Sequence, residues 1–138
     1  MFQFFNLLGD LTALENVILA QEIHGGRDKE RALQVLNMVG LAGMEGRFPS
    51  ELSGGEQQRV AIARSLAKSP RLLLGDELTG NLDSETTAQV MKVLVKVCRK
   101  EKITAIIVTH DVSLTKYATR VIQMASGKLV GGEPGGRA

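Results

Sequence analysis

Two short apolar runs on either side of one long amphipathic stretch constrain this chain more than anything else in it. Arg71–Gly75 is a leucine run that ends against Asp76 and Glu77. Ile103–Thr109 is rich in β-branched residues, which suit a pleated, buried surface. Between them Val90, Val93, Leu94 and Val97 recur at helical spacing, from a cap at Asp83 or Ser84 to about Lys100. A strand, a helix and a second strand form a crossover unit, and such units build parallel sheets. The chain is therefore expected to be α/β with a mainly parallel sheet, its second strand buried.

The first half lacks this pattern. Thr12-Ala13-Leu14-Glu15 fits a capping box and opens a helix through about Glu22, with Leu14, Val17, Ile18 and Gln21 on one face. His24-Gly25-Gly26 breaks it, and His24 reads as a surface residue. Asp28–Val39 is a second amphipathic helix, with Ala32, Val35, Leu36 and Val39 on one stripe and Gly40 closing it. From Thr12 to Arg64 there is no strand pattern, so about residues 10–69 are expected to form a helical subdomain beside the sheet. Residues 1–9 and 70–130 are assigned to the α/β core, with Met1–Phe5 as the end of a strand. Asp111 starts a short helix ending near Ala118, and Arg120–Ala125 and Lys128–Val130 form a hairpin around Ser126-Gly127. Residues 131–138 are expected to be a flexible Gly-rich tail. The whole of residues 1–138 reads as one domain.

Charge and composition exclude several classes. Seventeen basic residues against fifteen acidic ones give a net charge of +2, too weak and too evenly mixed to argue for nucleic acid. The single cysteine, Cys98, excludes an internal disulfide and reads as a small helix filler. No apolar run approaches the roughly 20 residues of a membrane-spanning helix, and the N-terminus starts no signal peptide. Membrane association is therefore expected to go through a partner.

Two clusters carry chemistry. Leu52-Ser53-Gly54-Gly55-Glu56 runs straight into helical sequence. Such a turn gathers backbone N–H groups, a hydroxyl and the positive end of a helix at one point, an arrangement that holds a phosphate. Glycine suits it because a Cβ would block close approach of backbone to phosphate. Yet no Gly-x-x-x-x-Gly-Lys-Ser/Thr loop is present to bind the chain's own nucleotide. The second cluster is Asp76-Glu77, adjacent carboxylates where a parallel strand leaves the sheet. One carboxylate can hold Mg²⁺ through water, and the other can orient and deprotonate a water. Alone, such a pair is more often a solvated strand end. Val108-Thr109-His110-Asp111, at the end of the next strand, adds an imidazole able to hydrogen-bond a γ-phosphate.

In this order, the motifs resemble those of ABC-transporter ATP-binding subunits over nearly the whole chain. Phe2-Gln3-Phe4-Phe5-Asn6-Leu7-Leu8 is similar to the Q-loop, with Gln3 as its glutamine. Leu52–Gln57 is similar to the signature, Leu72–Glu77 to the Walker B strand, Asn81-Leu82-Asp83 to the D-loop and His110 to the switch histidine. Thr12–Val17 and Thr79–Asp83 resemble the branch serving lipoprotein release and macrolide efflux, LolD-like and MacB-like systems. The resemblance implies a partial P-loop-NTPase-type fold with ATP and Mg²⁺ as ligands. It implies two ATP-binding subunits closed head-to-tail around two ATP molecules, with a transmembrane permease subunit as the further partner. It places the protein in the cytoplasm, peripheral at the inner face of the cell membrane. Glu77 would be the general base, Asp76 an indirect Mg²⁺ partner and His110 the γ-phosphate sensor. Gln3 would contact the Mg²⁺ or the attacking water. Ser53, Gly54, Gly55 and Glu56 would face the partner's nucleotide, and Asp83 would contact the other subunit. Phe4, Phe5, Leu7 and Leu8 would either receive a coupling helix or pack in the core.

Three departures qualify the match. The Walker A lysine, its loop and the adenine-stacking aromatic are absent, so the chain reads as an N-terminally truncated ATP-binding domain. It is expected to expose a sheet edge and face, and not to hydrolyse ATP alone. Leu78 stands where the family usually has proline, which frees the turn after the acidic pair, and Glu56 replaces the commoner glutamine. Two other readings are a non-catalytic remnant or interaction module, and a DNA-repair or chromosome-type ATPase. Gln3 and Ser53 are only 50 residues apart without sustained heptads, which argues against the latter.

Overall fold

The computed structural model describes residues 6–23 and 25–136. Gln3, Phe4, Phe5, His24 and the strand expected at Met1–Phe5 lie outside them. The chain divides into two compact units, Met1–Val108 and Thr109–Ala138. That boundary falls inside the stretch 70–130 that the sequence pattern assigned to one core.

In the first unit the helices start where local chemistry dictates. α1 (Ala13–Glu22) begins at Thr12, whose hydroxyl accepts the Glu15 N–H while the Glu15 carboxylate takes the Thr12 N–H. α2 (Lys29–Met38) is capped by Asp28, which accepts from Arg31 N at 2.8 Å. It ends at Val39, and Gly40 takes the left-handed conformation beyond it (φ +76°). α3 (Gly54–Leu66) is the central helix. Its consecutive residues Val60, Ala61, Ile62 and Ala63 are all buried, so it is covered on every side, and it packs against α1, α2 and a later helix, α4 (Ser84–Glu101). Leu36, Leu41, Leu66 and Leu94 are among the side chains completing this core.

Two buried amides stitch the loops to the helices. The Asn16 side chain donates to the carbonyls of Leu8, Leu11 and Thr12 and accepts from Leu8 N. The Gln21 amide pairs with both backbone groups of Asp28, at 2.9 Å each. Both do for loop backbone what a sheet or helix partner would otherwise do.

The crossover unit forms as expected. β1 (Leu72–Asp76) leads into α4 (Ser84–Glu101), which leads into β2 (Thr104–Val108), and the strands pair in parallel with Leu72 opposite Thr104 and Asp76 opposite Val108. β1 is shifted one residue from the expected Arg71–Gly75 and includes Asp76. Helix α4 buries Val90, Met91, Leu94 and Val97, while Val93 is only half-buried. The expectation of a buried second strand is corrected, because β2 is largely exposed, with Ile106 at 53% and Val108 at 59%. Among the described residues β1 and β2 pair only with each other, and the face that carries Leu72, Leu74, Ile106 and Val108 is exposed.

In the second unit, Asp111 caps a short 3-10 helix, Val112–Tyr117, and accepts from Ser113 N at 2.8 Å. β3 (Arg120–Ala125) and β4 (Lys128–Pro134) form an antiparallel hairpin. Ser126 and Gly127 both have positive φ, +48° and +75°, as a two-residue hairpin turn matched to strand twist requires. β4 runs four residues past the expected Val130, so Gly131–Pro134 of the expected tail is strand. A register shift between Gln123 and Met124 accommodates this, letting the glycines pair on the far side of a bulge.

Candidate functional site

The phosphate-type turn folds as a helix start. Ser53 is the N-cap of α3. Its hydroxyl accepts from Glu56 N (3.3 Å), and the Glu56 carboxylate takes both the Ser53 N–H (2.7 Å) and the Ser53 hydroxyl (2.8 Å). These bonds, the backbone one first, hold the Glu56 carboxyl below its ordinary range. The Ser53 hydroxyl, expected to face a phosphate, takes part in the helix cap here. Ser53 is exposed and Gly54 half-buried, and their end of α3 keeps the first-turn amides that a helix cannot satisfy internally.

Gly55 must be glycine for packing within the chain as well. It is buried, and a Cβ built on it would fall 2.4 Å from Thr86 Cγ2. The residue is therefore needed for close contact between α3 and the first turn of α4. That contact joins the start of α3 to the first turn of α4, which Asp83 caps. Asp83 Oδ1 accepts from Glu85 N and Thr86 N at 3.0 Å, and Oδ2 accepts from the Thr86 hydroxyl at 2.6 Å. The Thr86 hydroxyl is the largest cause holding the Asp83 carboxyl below its usual range.

The acidic pair sits at the carboxyl end of β1. Asp76 is exposed and Glu77 half-buried. The Glu77 N–H donates to Val108 O at 2.9 Å, which ties it to the end of β2. Glu77 has φ +47°, a left-handed backbone that a residue with a Cβ adopts at a cost of about 1–2 kcal/mol. Leu78, expected to loosen this turn, anchors it instead. It is 2% exposed, and its side chain lies over Gly75, where a Cβ would come within 2.7 Å of it. Burial of the leucine thus holds the turn through its side chain.

His110 is exposed and belongs to the second unit, two residues beyond β2 in the chain. Leu7 is half-buried and Leu8 is 48% exposed. Cys98 is half-buried, and burial raises its thiol. Among the described residues no group of three His, Cys, Asp or Glu could hold a metal ion. The carboxylate oxygens of Asp76 and Glu77 nonetheless suit Mg²⁺, a hard cation that commonly takes one or two carboxylates and completes its shell with water and phosphate. Sequence reasoning missed Thr86, although a hydroxyl three residues after an N-cap aspartate was its available signal. It also missed Gln58, which is 1% exposed with neither amide atom hydrogen-bonded among the described residues.

A family model described as ABC transporter matches residues 1–80, more than half of the chain. The chain belongs to the ABC transporter family. It is 50% identical over 133 residues to ABC transporter H family member 2 of Dictyostelium discoideum, covering 94% of this chain and 26% of that protein. It is 45% identical over 132 residues to the lipoprotein-releasing system ATP-binding protein LolD 2 of Caulobacter vibrioides, covering 94% and 58%. Among solved structures it is similar to the dimeric post-hydrolysis state of the ATP-binding cassette MJ0796 bound to ADP and Pi. That match has a TM-score of 0.77 and 38% identity, and covers 99% of this chain and 62% of that one. The fold is thus that of part of an ABC ATPase cassette, and the chain spans only part of the length of these relatives. No helix among the described residues is long and apolar enough to cross a membrane.

Proposed function

We propose that this chain is the ATP-hydrolysing, energy-coupling portion of an ABC transporter ATP-binding subunit of the LolD-like branch, and that its Ser53 turn serves a nucleotide held by a second subunit. The observation that carries this reading is the placement of Glu77. Its backbone is held in a left-handed turn at the carboxyl end of two parallel strands, the edge where such sheets receive ligands. From there its carboxylate would orient a water and take its proton, with Asp76 beside it as a hard-oxygen partner. Bound Mg²⁺ would neutralise developing charge on the phosphates. Ser53 and the amides of Gly54 and Gly55 would bind the incoming γ-phosphate, with Glu56 alongside. Asp83 would meet the second subunit, and His110 and Gln3 would contact the γ-phosphate and the water. Helices α1–α3 would form the helical subdomain that faces a permease subunit. The protein would then work at the cytoplasmic face of a membrane without entering it.

One observation favours a second reading, a non-catalytic interaction module: the 138 residues hold no Gly-rich Lys-Ser/Thr loop. A single experiment separates the two. The chain is expressed alone and as the C-terminal part of a chimera whose first part comes from the Caulobacter LolD 2 relative. The chain alone is expected to show no ATPase activity. The chimera is expected to hydrolyse ATP and to lose activity by about 10²-fold or more in Glu77→Gln. An inert chimera with a normal fold, or one indifferent to Glu77→Gln, would sink the catalytic reading.

A further inference from the structure

Gly55 and Thr86 meet more closely than any residue with a side chain at position 55 would allow. A Cβ there would lie 2.4 Å from Thr86 Cγ2 and 3.9 Å from both Thr86 Cβ and Val90 Cγ2. The contact joins the second residue of α3 to the first turn of α4. Thr86 is β-branched, so its two arms turn together about one stiff χ1 angle. One arm, the Cγ2 methyl, faces Gly55. The other, Oγ1, donates to Asp83 Oδ2 at 2.6 Å, while the Thr86 N–H donates to Asp83 Oδ1 at 3.0 Å. A rotation that relieved crowding at Gly55 would break the hydroxyl's bond to Asp83. On the other side, Gly55 follows directly on Ser53 and Gly54, within a turn locked by the Ser53–Glu56 capping box.

We propose that Thr86 is a positioning residue, linking the Ser53–Gly55 turn to the Asp83 carboxylate within one subunit so that displacement of either reorients the other. This rests on the proposed reading of Ser53 and Asp83 as parts that meet a second subunit and its nucleotide. A single threonine would give the two a common response when that subunit closes.

The test uses the 138-residue chain itself, without nucleotide, so it can fail or succeed independently of the ATPase reading. Gly55→Ala is expected to lower the melting temperature by roughly 3–10 °C, as overpacking does. It is also expected to move the Asp83 carboxyl titration, read by ¹³C NMR, upward, because Thr86 is forced off its rotamer. Thr86→Ser keeps the hydroxyl and removes Cγ2. In that background Gly55→Ala is expected to regain at least half of the lost melting temperature and to return the Asp83 titration to its parent position. Should Gly55→Ala alone fail to fold, Thr86→Val decides. It keeps the methyl facing Gly55 and removes the hydroxyl, and is expected to raise the Asp83 titration and shift the amide resonances of Gly54, Gly55 and Glu56 together. Absence of rescue by Thr86→Ser, or an Asp83 response with no change at the Gly54–Glu56 amides in Thr86→Val, would overturn the link.

Discussion

The Glu56 carboxylate accepts two hydrogen bonds from Ser53, one from its N–H and one from its hydroxyl, at the end of α3 where the helix dipole is positive. A carboxylate so placed stabilises the helix start, and it engages the Ser53 hydroxyl while leaving the Gly54 and Gly55 amides to other acceptors. Its folded-state pKa is depressed by those bonds. The contribution to stability is therefore present in full above the unfolded value and is lost as pH falls through the folded value. Glu56→Gln keeps an acceptor for the Ser53 N–H and has no proton to take up. Its melting temperature is expected to fall less steeply than that of the parent between about pH 5 and pH 3. Parallel melting curves for the two proteins across that range would show that the Glu56 charge does nothing for the helix start. Not every property of a residue is local in this way. Nothing in Leu74-Gly75-Asp76-Glu77-Leu78 announces that Glu77 is left-handed, because that conformation is imposed by the Val108 carbonyl and by Leu78 burying itself over Gly75.

Elements are held as much by their loops as by their faces, and α1 shows this most clearly. Asn16 makes four hydrogen bonds with the backbone of Leu8, Leu11 and Thr12. Asn16→Leu matches its bulk but orphans part-buried backbone groups. It is expected to destabilise the chain by about 1.5–3 kcal/mol in urea unfolding, with the denaturant slope unchanged. A loss below about 0.5 kcal/mol would mean that water replaces the amide there. What could be read in advance follows the same division. The capping box at Thr12, the cap at Asp83 and the stop at Gly40 are short-range patterns with one physical solution each, and all formed. The Ser126-Gly127 turn was likewise written in two residues. Gln21 already lay on the apolar face of its helix, but Asn16 and Gln58 were not legible as buried polar groups, since nothing local separates Gln58 from Gln57. Gln57 caps the carbonyls of Pro49 and Leu52, whereas Gln58 is enclosed with its amide unpaired among the described residues. β4 outran its expected end because glycines weaken a strand pattern even where pairing to β3 holds them.

At the scale of the first unit, the parallel pair β1–β2 has two unlike faces. Leu73 and Gly75 point to the buried side. Leu72, Leu74, Ile106 and Val108 share the other, at 48%, 57%, 53% and 59% exposure. The register sets Leu74 beside Ile106, so these side chains form one continuous patch rather than scattered surface residues. A parallel pair normally has both faces covered, and contiguous exposed apolar surface drives association. The chain alone is therefore expected to self-associate over the micromolar to millimolar range, with its mass in sedimentation rising with concentration. Replacing Leu74 and Ile106 by threonine keeps β-propensity and removes most of the apolar contact. That double variant is expected to keep the parent's far-ultraviolet circular dichroism while its mass stays that of a monomer. If association is driven instead by the edges of the β3–β4 hairpin, the threonine variant will associate as strongly as the parent. In that outcome the exposed face of β1–β2 is only a solvated surface.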